Sequence, residues 1–123
     1  MPEVTNGEGA RFENLVATHL LKRLHYLEDS SGERFELRYI RDKEAREVDF
    51  VILKDRKPVC LIETKLNDDQ PSKHLYYFGE KLKVDKRIQL VAKIDKPKSF
   101  RDKKIEVYPA AEWLSQGLDK ILF

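Results

Sequence analysis

The chain has a single cysteine, Cys60, among its 123 residues. An internal disulfide and a cysteine-based zinc site are therefore excluded, and a reducing compartment such as the cytoplasm is the natural setting. No apolar run is long enough to cross a membrane. The first residues, MPEVTNGEG, lack the charged start and the apolar centre of a signal peptide. We therefore expect a cytoplasmic protein without membrane contact.

The sequence also has little excess of charge of either sign. The 24 Lys and Arg residues face 22 Asp and Glu residues, so the net charge is +2. This balance does not indicate a nucleic-acid partner by itself, and a basic surface would have to come from local clustering. The length is that of one domain, and 41% hydrophobic residues are enough for a core. We predict a flexible tail over residues 1–8 and a single α/β domain over residues 9–123.

The hydrophobic pattern predicts mixed helices and strands. Residues 10–27 have apolar side chains at three- and four-residue steps, as in a helix that covers a sheet: Phe12, Leu15, Val16, Leu20, Leu24 and Leu27. The predicted order after this helix is three strands (FELRYIR, VDFVIL and VCLIETKL), a helix (KHLYYFGEKLK), two strands (RIQLVAK and KIEVY) and a last helix (PAAEWLSQGL). This order predicts an α/β sandwich in which an antiparallel meander leads into a parallel crossover.

Charged residues end two of these apolar strands. We predict that VDFVIL and VCLIETKL form a hairpin whose loop is residues 55–57. The register then pairs Lys54 with Pro58, Leu53 with Val59, Val51 with Leu61, and Asp49 with Glu63. Two opposed carboxylates repel each other unless a cation lies between them, and hard oxygen ligands suit Mg²⁺ or Mn²⁺. Lys65 follows on the same face of the strand.

Glu13 is a further candidate, because it falls inside the apolar sector of the first helix. Its carboxylate is predicted to point at the sheet, where it needs a partner. The group formed by Asp49, Glu63 and Lys65 would supply one, and a nearby arginine is the alternative. A simpler interpretation also stays open, in which the charged strand ends are solvated and have no catalytic role.

These residues resemble the PD-(D/E)XK nuclease superfamily. Its pattern is a helical glutamate, then an aspartate, then E-x-K, and the matching segments here are RFENL, REVDFVIL and CLIETK. More narrowly, the segments FENLVATHLL, YIRDKEAREVDFVI, LIETK and IEVYPAAEWL are similar to the C-terminal domain of prokaryotic AAA-type ATPases of poorly defined function. The likeness extends from about Gly9 to Leu114. It implies a restriction-endonuclease-like αβββαβ core with an extra C-terminal strand and helix.

The resemblance also implies roles for individual residues. Asp49 and Glu63 would be metal ligands together with the backbone carbonyl of Thr64, and Glu13 would hold a metal-bound water or a second metal. Lys65 would orient the attacking water and stabilise charge on the phosphate. The catalytic set is thus Glu13, Asp49, Glu63 and Lys65, served by Mg²⁺ or Mn²⁺. The chain departs from the pattern at Val48, where the superfamily's name-giving proline would stand.

The predicted function is metal-dependent hydrolysis of phosphodiester bonds, with DNA as the expected substrate. Two basic segments are candidates for phosphate contacts, although a solvated loop also explains them: Arg41, Lys43, Arg46, Lys96, Lys98 and Arg101. A homodimer is one arrangement that would cut both strands of a duplex. Since the chain lacks a G-x-x-x-x-G-K-[ST] phosphate loop, any ATPase partner domain is absent from it. The alternatives are a catalytically silent module that binds nucleic acid or regulates an ATPase, and a protein-interaction domain.

Overall fold

The computed structural model describes residues 7–123, which form six strands and three α-helices. The elements are α1 (Gly7–Ser31), β1 (Phe35–Arg41), β2 (Glu47–Lys54), β3 (Lys57–Lys65), α2 (Lys73–Leu82), β4 (Arg87–Val91), β5 (Lys98–Phe100), β6 (Ile105–Pro109) and α3 (Ala110–Leu122). The predicted α/β class and the order of the predicted elements are confirmed. Strand β5 and the short 3₁₀ helix that follows it, Arg101–Lys103, lie in a segment that was predicted to be a loop.

The strands form one sheet in the order β1-β2-β3-β4-β6-β5. The first three strands are antiparallel, β3 to β4 and β4 to β6 are parallel, and β5 pairs antiparallel with β6. The predicted meander that enters a parallel crossover is therefore confirmed. Both strands of the β2–β3 hairpin are interior strands, because each has a neighbouring strand on either side.

Helices cover both faces of the sheet and create two cores. In the first core, α1 and α3 pack on one face, and its strand residues include Phe50, Ile52, Cys60, Ile62 and Ile88. In the second core, α2 packs on the other face, and its strand residues include Val48, Val51, Leu61, Val91 and Ile105. Strands β2 and β3 contribute to both cores, as expected of central strands whose two faces are apolar.

Helix α1 is longer than predicted. It begins at Gly7, so Gly7 and Glu8 are helical and do not belong to a tail; the rest of the predicted tail lies outside the described residues. The helix ends before Gly32, whose positive φ of 78° is the left-handed conformation common after a helix. Leu15, predicted to lie in the apolar stripe, is 54% exposed. Within residues 7–123, no helix combines the length and the apolar character needed to cross a bilayer.

The β2–β3 hairpin differs in part from its predicted register. Val51 pairs with Leu61 as predicted, but Leu53 pairs with Pro58 and Lys54 with Lys57, so the predicted partners of Leu53 and Lys54 are wrong. The loop is two residues long, and Asp55 and Arg56 both have positive φ, 51° and 71°, as a type I′ turn requires. A bulge beyond Pro58 restores the predicted register from Cys60 onwards.

A buried arginine joins α2 to the sheet, although the sequence pattern gave no reason to expect one. Arg87 is 2% exposed, and its guanidinium donates to the backbone carbonyls of Val84 and Lys103 and to the carboxylate of Glu80. Gly79 makes room for this side chain, because a Cβ at that position would lie 2.1 Å from Arg87 Nε. The glycine that weakens the helical pattern is therefore explained by packing.

Candidate functional site

Asp49 lies at a β-bulge in β2. In the β1–β2 ladder Arg38 pairs with Val51 and Ile40 with Val48, so Asp49 and Phe50 together face a single residue of β1, Tyr39. The bulge breaks the alternation of faces, since Val48 packs in the second core and Phe50 in the first core. Bulges re-aim side chains and are common beside active sites. Here the bulge directs the Asp49 backbone and side chain towards β3.

The backbone N–H and the side-chain carboxylate of Asp49 both form hydrogen bonds with residues of β3. Its backbone N–H donates to Glu63 Oε1 at 3.1 Å. Its carboxylate oxygen Oδ2 accepts from the backbone N–H of Thr64 at 2.9 Å and from the Thr64 hydroxyl at 2.8 Å. The β2–β3 ladder ends one pair earlier, at Phe50 and Ile62. Side chains thus take over where the backbone pairing stops, and they hold the Asp49 and Glu63 carboxyl groups close together.

Glu63 is the most strongly perturbed acid in the described chain. It is 8% exposed, and its pKa is raised from 4.5 to about 8. Burial is the largest cause and the neighbouring carboxylate of Asp49 the second, while the hydrogen bond from the Asp49 backbone and the charge of Lys65 act in the opposite direction. Near neutral pH the protein therefore holds Glu63 protonated unless additional positive charge approaches. A cation bound between Glu63 and Asp49 would offset the repulsion between the two carboxylates and favour the ionised form of Glu63.

Lys65 contributes one positive charge beside this pair. Its Nζ lies 3.8 Å from Glu63 Oε2, and its side chain is 35% exposed. The backbone carbonyl of Lys65 accepts a hydrogen bond from Ala92 N–H on the β4 side. Because backbone groups of successive strand residues point to opposite sides, the carbonyl of Thr64 points towards β2, where Asp49 lies.

Glu13 was predicted to be buried against the sheet, and this prediction is wrong. It is exposed, and within residues 7–123 it forms no ion pair, so the alternative of an arginine partner is also wrong; Arg23 pairs with Asp119 of α3. The pKa of Glu13 is nevertheless raised, first by partial burial and then by the carboxylates of Asp49 and Glu47. Its position on α1 therefore brings a third acid within electrostatic range of Asp49, with its carboxyl group open to solvent.

The two hydrogen-bonded residues, Asp49 and Glu63, line different cavities. The first, of about 490 Å³, lies between α1 and the β1–β2 pair, and Glu13 and Asp49 both line it. The second, of about 360 Å³, lies beside the start of α2, and Glu63 and Lys65 line it. The predicted catalytic residues are thus divided between two cavities, two in each.

The acids do not form a ready-made metal cage. Among residues 7–123 there is no group of three or more His, Cys, Asp or Glu side chains arranged to hold a metal ion. The donor set that fits a metal is smaller and consists of the Asp49 and Glu63 carboxylates with the Thr64 carbonyl. It suits Mg²⁺ or Mn²⁺ in chemistry, because Mg²⁺ is commonly bound by one or two carboxylates and keeps several waters or substrate oxygens. The observation that favours such an ion is the close placement of two carboxyl groups, buried Glu63 and half-buried Asp49, since Asp49 raises the pKa of Glu63.

Gln89 supports the second cavity and was not recognised from the sequence. It is fully buried in β4; its Oε1 accepts from Ser72 N–H at 2.9 Å, and its Nε2 donates to the carbonyl of Gln70 at 2.7 Å. These bonds fix the loop between β3 and α2, which follows Lys65 directly. The signal available in the sequence was a single amide residue in the otherwise apolar run RIQLV.

His74 and Glu47 also border the site. The backbone N–H of Glu47 donates to His74 Nδ1 at 3.3 Å, which leaves the ring proton on Nε2 when the imidazole is neutral. His74 lines the second cavity together with Glu63 and Lys65. The Glu47 carboxylate raises the pKa of both Glu13 and Glu63, although it is a smaller cause than burial in each case.

The six basic residues predicted to bind nucleic acid are in different environments. Arg41 lines the first cavity, with its Nε 3.8 Å from the Glu47 carboxylate. Arg46 already has partners within the domain: it forms an ion pair with Asp42 at 2.7 Å, and its guanidinium lies over the Tyr77 ring at 3.8 Å.

The other four lie outside the two cavities. Lys98 pairs at 2.6 Å with Asp69, in the loop after β3. Lys43, Lys96 and Arg101 are exposed and have no ion pair with any residue of the described range. Lys96 and Arg101 flank β5 at the sheet edge opposite β1, so the six residues do not form one continuous basic surface.

Comparisons with known proteins give one family assignment. Searches of curated proteins and of solved structures found no significant match. Residues 8–113 match the model of the family described as a domain of unknown function, DUF4143. This range includes both cavities and the hairpin that carries Asp49 and Glu63. Since the match covers most of the sequence, the chain belongs to the DUF4143 family.

Proposed function

We propose that this domain hydrolyses phosphodiester bonds of DNA, using Mg²⁺ or Mn²⁺ held by Asp49, Glu63 and the Thr64 carbonyl. The observation that carries the proposal is the cluster of Asp49, Glu63 and Lys65 at the end of the β2–β3 ladder, where Asp49 lines one cavity and the other two residues line a second. The resemblance of RFENL, REVDFVIL and CLIETK to the PD-(D/E)XK pattern supports the same reaction.

The chain's own residues account for most of what the reaction needs. A divalent ion, when bound, supplies a Lewis acid that polarises a phosphoryl oxygen and favours ionisation of the attacking water. Thr64 fixes the Asp49 carboxylate through Oδ2, which leaves Oδ1 for a ligand. The Lys65 ammonium is placed to orient water and to stabilise negative charge that develops on the phosphate. Glu13 supplies an exposed carboxylate in the first cavity, which Asp49 also lines.

The test is cleavage of labelled single-stranded, duplex and branched DNA in Mn²⁺, in Mg²⁺ and in chelator. The native chain is compared with Asp49→Ala and with Asp55→Ala, a control at the exposed hairpin turn. We expect metal-dependent cleavage that falls roughly 100- to 1000-fold in Asp49→Ala and is unchanged in Asp55→Ala. Native protein that is folded but cuts no DNA in either metal would contradict the proposal.

A specific observation favours a second candidate, a catalytically silent module. Two hydrogen bonds from Thr64 occupy Asp49 Oδ2, and residues 7–123 contain no group of three metal-ligating side chains. In that case Asp49 would brace β2 against β3, and the domain would bind nucleic acid or regulate an AAA-type ATPase. Under this alternative Asp49→Ala lowers stability, and neither metal supports cleavage.

The expected setting follows from the same proposal. The reaction needs DNA as a partner, and the resemblance to the C-terminal domain of AAA-type ATPases suggests an ATPase that this chain does not contain. The single cysteine is buried and suits a cytoplasmic protein. A homodimer would place two such sites on a duplex. Size-exclusion chromatography with light scattering, with and without DNA, tests this last point.

A further inference from the structure

The first cavity is a groove with three different walls. Glu13 of α1 forms one wall, Leu37 and Tyr39 of edge strand β1 form another, and the bulged segment of β2 with Asp49 forms the floor. Its volume, about 490 Å³, is within the range of sites that hold small organic groups. Because β1 is the outermost strand, a long ligand can leave the groove at the edge of the sheet.

Tyr39 presents an aromatic ring to this groove. Two other tyrosines are exposed, Tyr26 at 57% and Tyr76 at 37%, and each has a cation over its ring: Arg23 over Tyr26, and Lys103 over Tyr76. No cation or aromatic partner covers the Tyr39 ring within residues 7–123, although Tyr39 is 57% exposed. An uncovered ring at the mouth of a cavity is a surface on which a planar group can stack.

Two arginines stand at the rim beside Tyr39. Arg38 and Arg41 both line the groove, with side chains that are 66% and 57% exposed. Arg38 has an ion pair with Glu36 at 2.6 Å, and Arg41 has a longer one with Glu47 at 3.8 Å. Exposed pairs of this kind are weak, so both guanidinium groups are available to phosphates.

We propose that the groove holds one unpaired nucleotide, whose base stacks on Tyr39 and whose phosphates contact Arg38 and Arg41. The substrate is then single-stranded DNA or a single-stranded end, and this rests on the proposed nuclease function. A base inside a duplex has both faces covered by its neighbours, so only an unpaired base can stack on a protein ring. The strand would pass from the groove across Asp49 towards Lys65 in the second cavity.

The experiment measures binding separately from cleavage. A fluorescein-labelled oligothymidylate and a labelled duplex of equal length are titrated with protein in Ca²⁺, with anisotropy as the readout and a gel to verify that the probes remain intact. We expect Tyr39→Ala to weaken single-strand binding roughly 5- to 150-fold, as loss of one stacked base would. Tyr39→Trp should retain binding, and duplex binding should be weaker and insensitive to both changes.

Tyr26→Ala is the matched control, because Tyr26 is also 57% exposed. It lies thirteen positions after Glu13 on α1, about 20 Å along the helix. An unchanged affinity in Tyr39→Ala, an equal loss in Tyr26→Ala, or a preference for duplex would each overturn the proposal.

Cleavage by the same proteins separates this inference from the proposed function. Metal-dependent cutting that does not respond to Tyr39→Ala would reject the nucleotide site and leave the nuclease. Single-strand binding that depends on Tyr39, without cutting in Mg²⁺ or Mn²⁺, would reject the nuclease and keep the nucleotide site.

Discussion

Replacement of Glu63 by glutamine changes the dependence of stability on pH in a defined direction. In the folded protein the pKa of Glu63 is about 8, raised mainly by burial, against 4.5 ordinarily. The folded state therefore holds the proton over a pH range in which the unfolded chain has lost it. The stabilisation is complete below about pH 4.5 and is lost as pH rises through about 8. The pKa difference corresponds to roughly 5 kcal/mol at most.

The assay is urea unfolding of the native chain and of Glu63→Gln at a series of pH values from 5 to 9, without divalent ions. Glutamine stays neutral, so the native chain should lose stability relative to the variant as pH rises, by a few kcal/mol in total. Asp49, Glu47, Lys65 and His74 surround Glu63 in both proteins, so subtraction removes most of their own titration. The control is Glu112→Gln, at an exposed position of α3.

Divalent metal should reverse the effect. At pH 8 we expect Mg²⁺ or Mn²⁺ to stabilise the native chain more than Glu63→Gln, because a cation favours the ionised carboxylate and binds the folded state. A stability difference between native chain and variant that is the same at pH 5 and pH 9 would refute the reasoning about Glu63.

Three further changes test the packing that supports the site, each by urea unfolding. Gly79→Ala should destabilise by roughly 1–3 kcal/mol, because the new Cβ collides with Arg87. Gln89→Leu should cost roughly 1–3 kcal/mol, because it leaves buried backbone groups unpaired; it should also accelerate hydrogen exchange of the Ser72 amide. Arg56→Gly should stabilise by about 1 kcal/mol, because glycine adopts the positive φ of the hairpin turn without strain.

The first two changes have counterparts that should behave differently. Gly7→Ala brings its Cβ near only the flexible end of Arg11, so it should have little effect. Gln70→Leu keeps the backbone carbonyl that Gln89 uses and should leave Ser72 exchange unchanged. Equal effects within these pairs, or a destabilising Arg56→Gly, would contradict the packing account.

Local patterns in the sequence were sufficient to predict the order of the three helices and of every strand except β5, and part of the hairpin. The run FELRYIR coincides with β1, residue for residue, because its ends are marked by turn residues. The pairing of Val51 with Leu61 was also predicted correctly, because the residue numbers of antiparallel partners in a hairpin have a constant sum. The loop was predicted one residue too long, since a type I′ turn usually contains glycine and the Asp-Arg turn here does not.

The site depended on features that a linear pattern does not contain. The bulge at Asp49 arises from pairing with β1, so it is invisible in the sequence of β2 alone. Glu13 was predicted to be buried because the helical wheel gives direction but not the extent of the sheet below it. Tyr39 stands in an ordinary strand pattern, and only the fold brings it beside Asp49.

The most direct test of the central claim is the single-turnover cleavage rate of labelled single-stranded DNA in Mn²⁺ by native protein, Lys65→Ala and Lys57→Ala. Lys57 lies at the opposite end of β3, so it controls for the loss of a charge from the same strand. The account predicts a rate that falls roughly 100- to 1000-fold in Lys65→Ala alone. Cleavage at the native rate by folded Lys65→Ala, or no cleavage by the native protein, would contradict it.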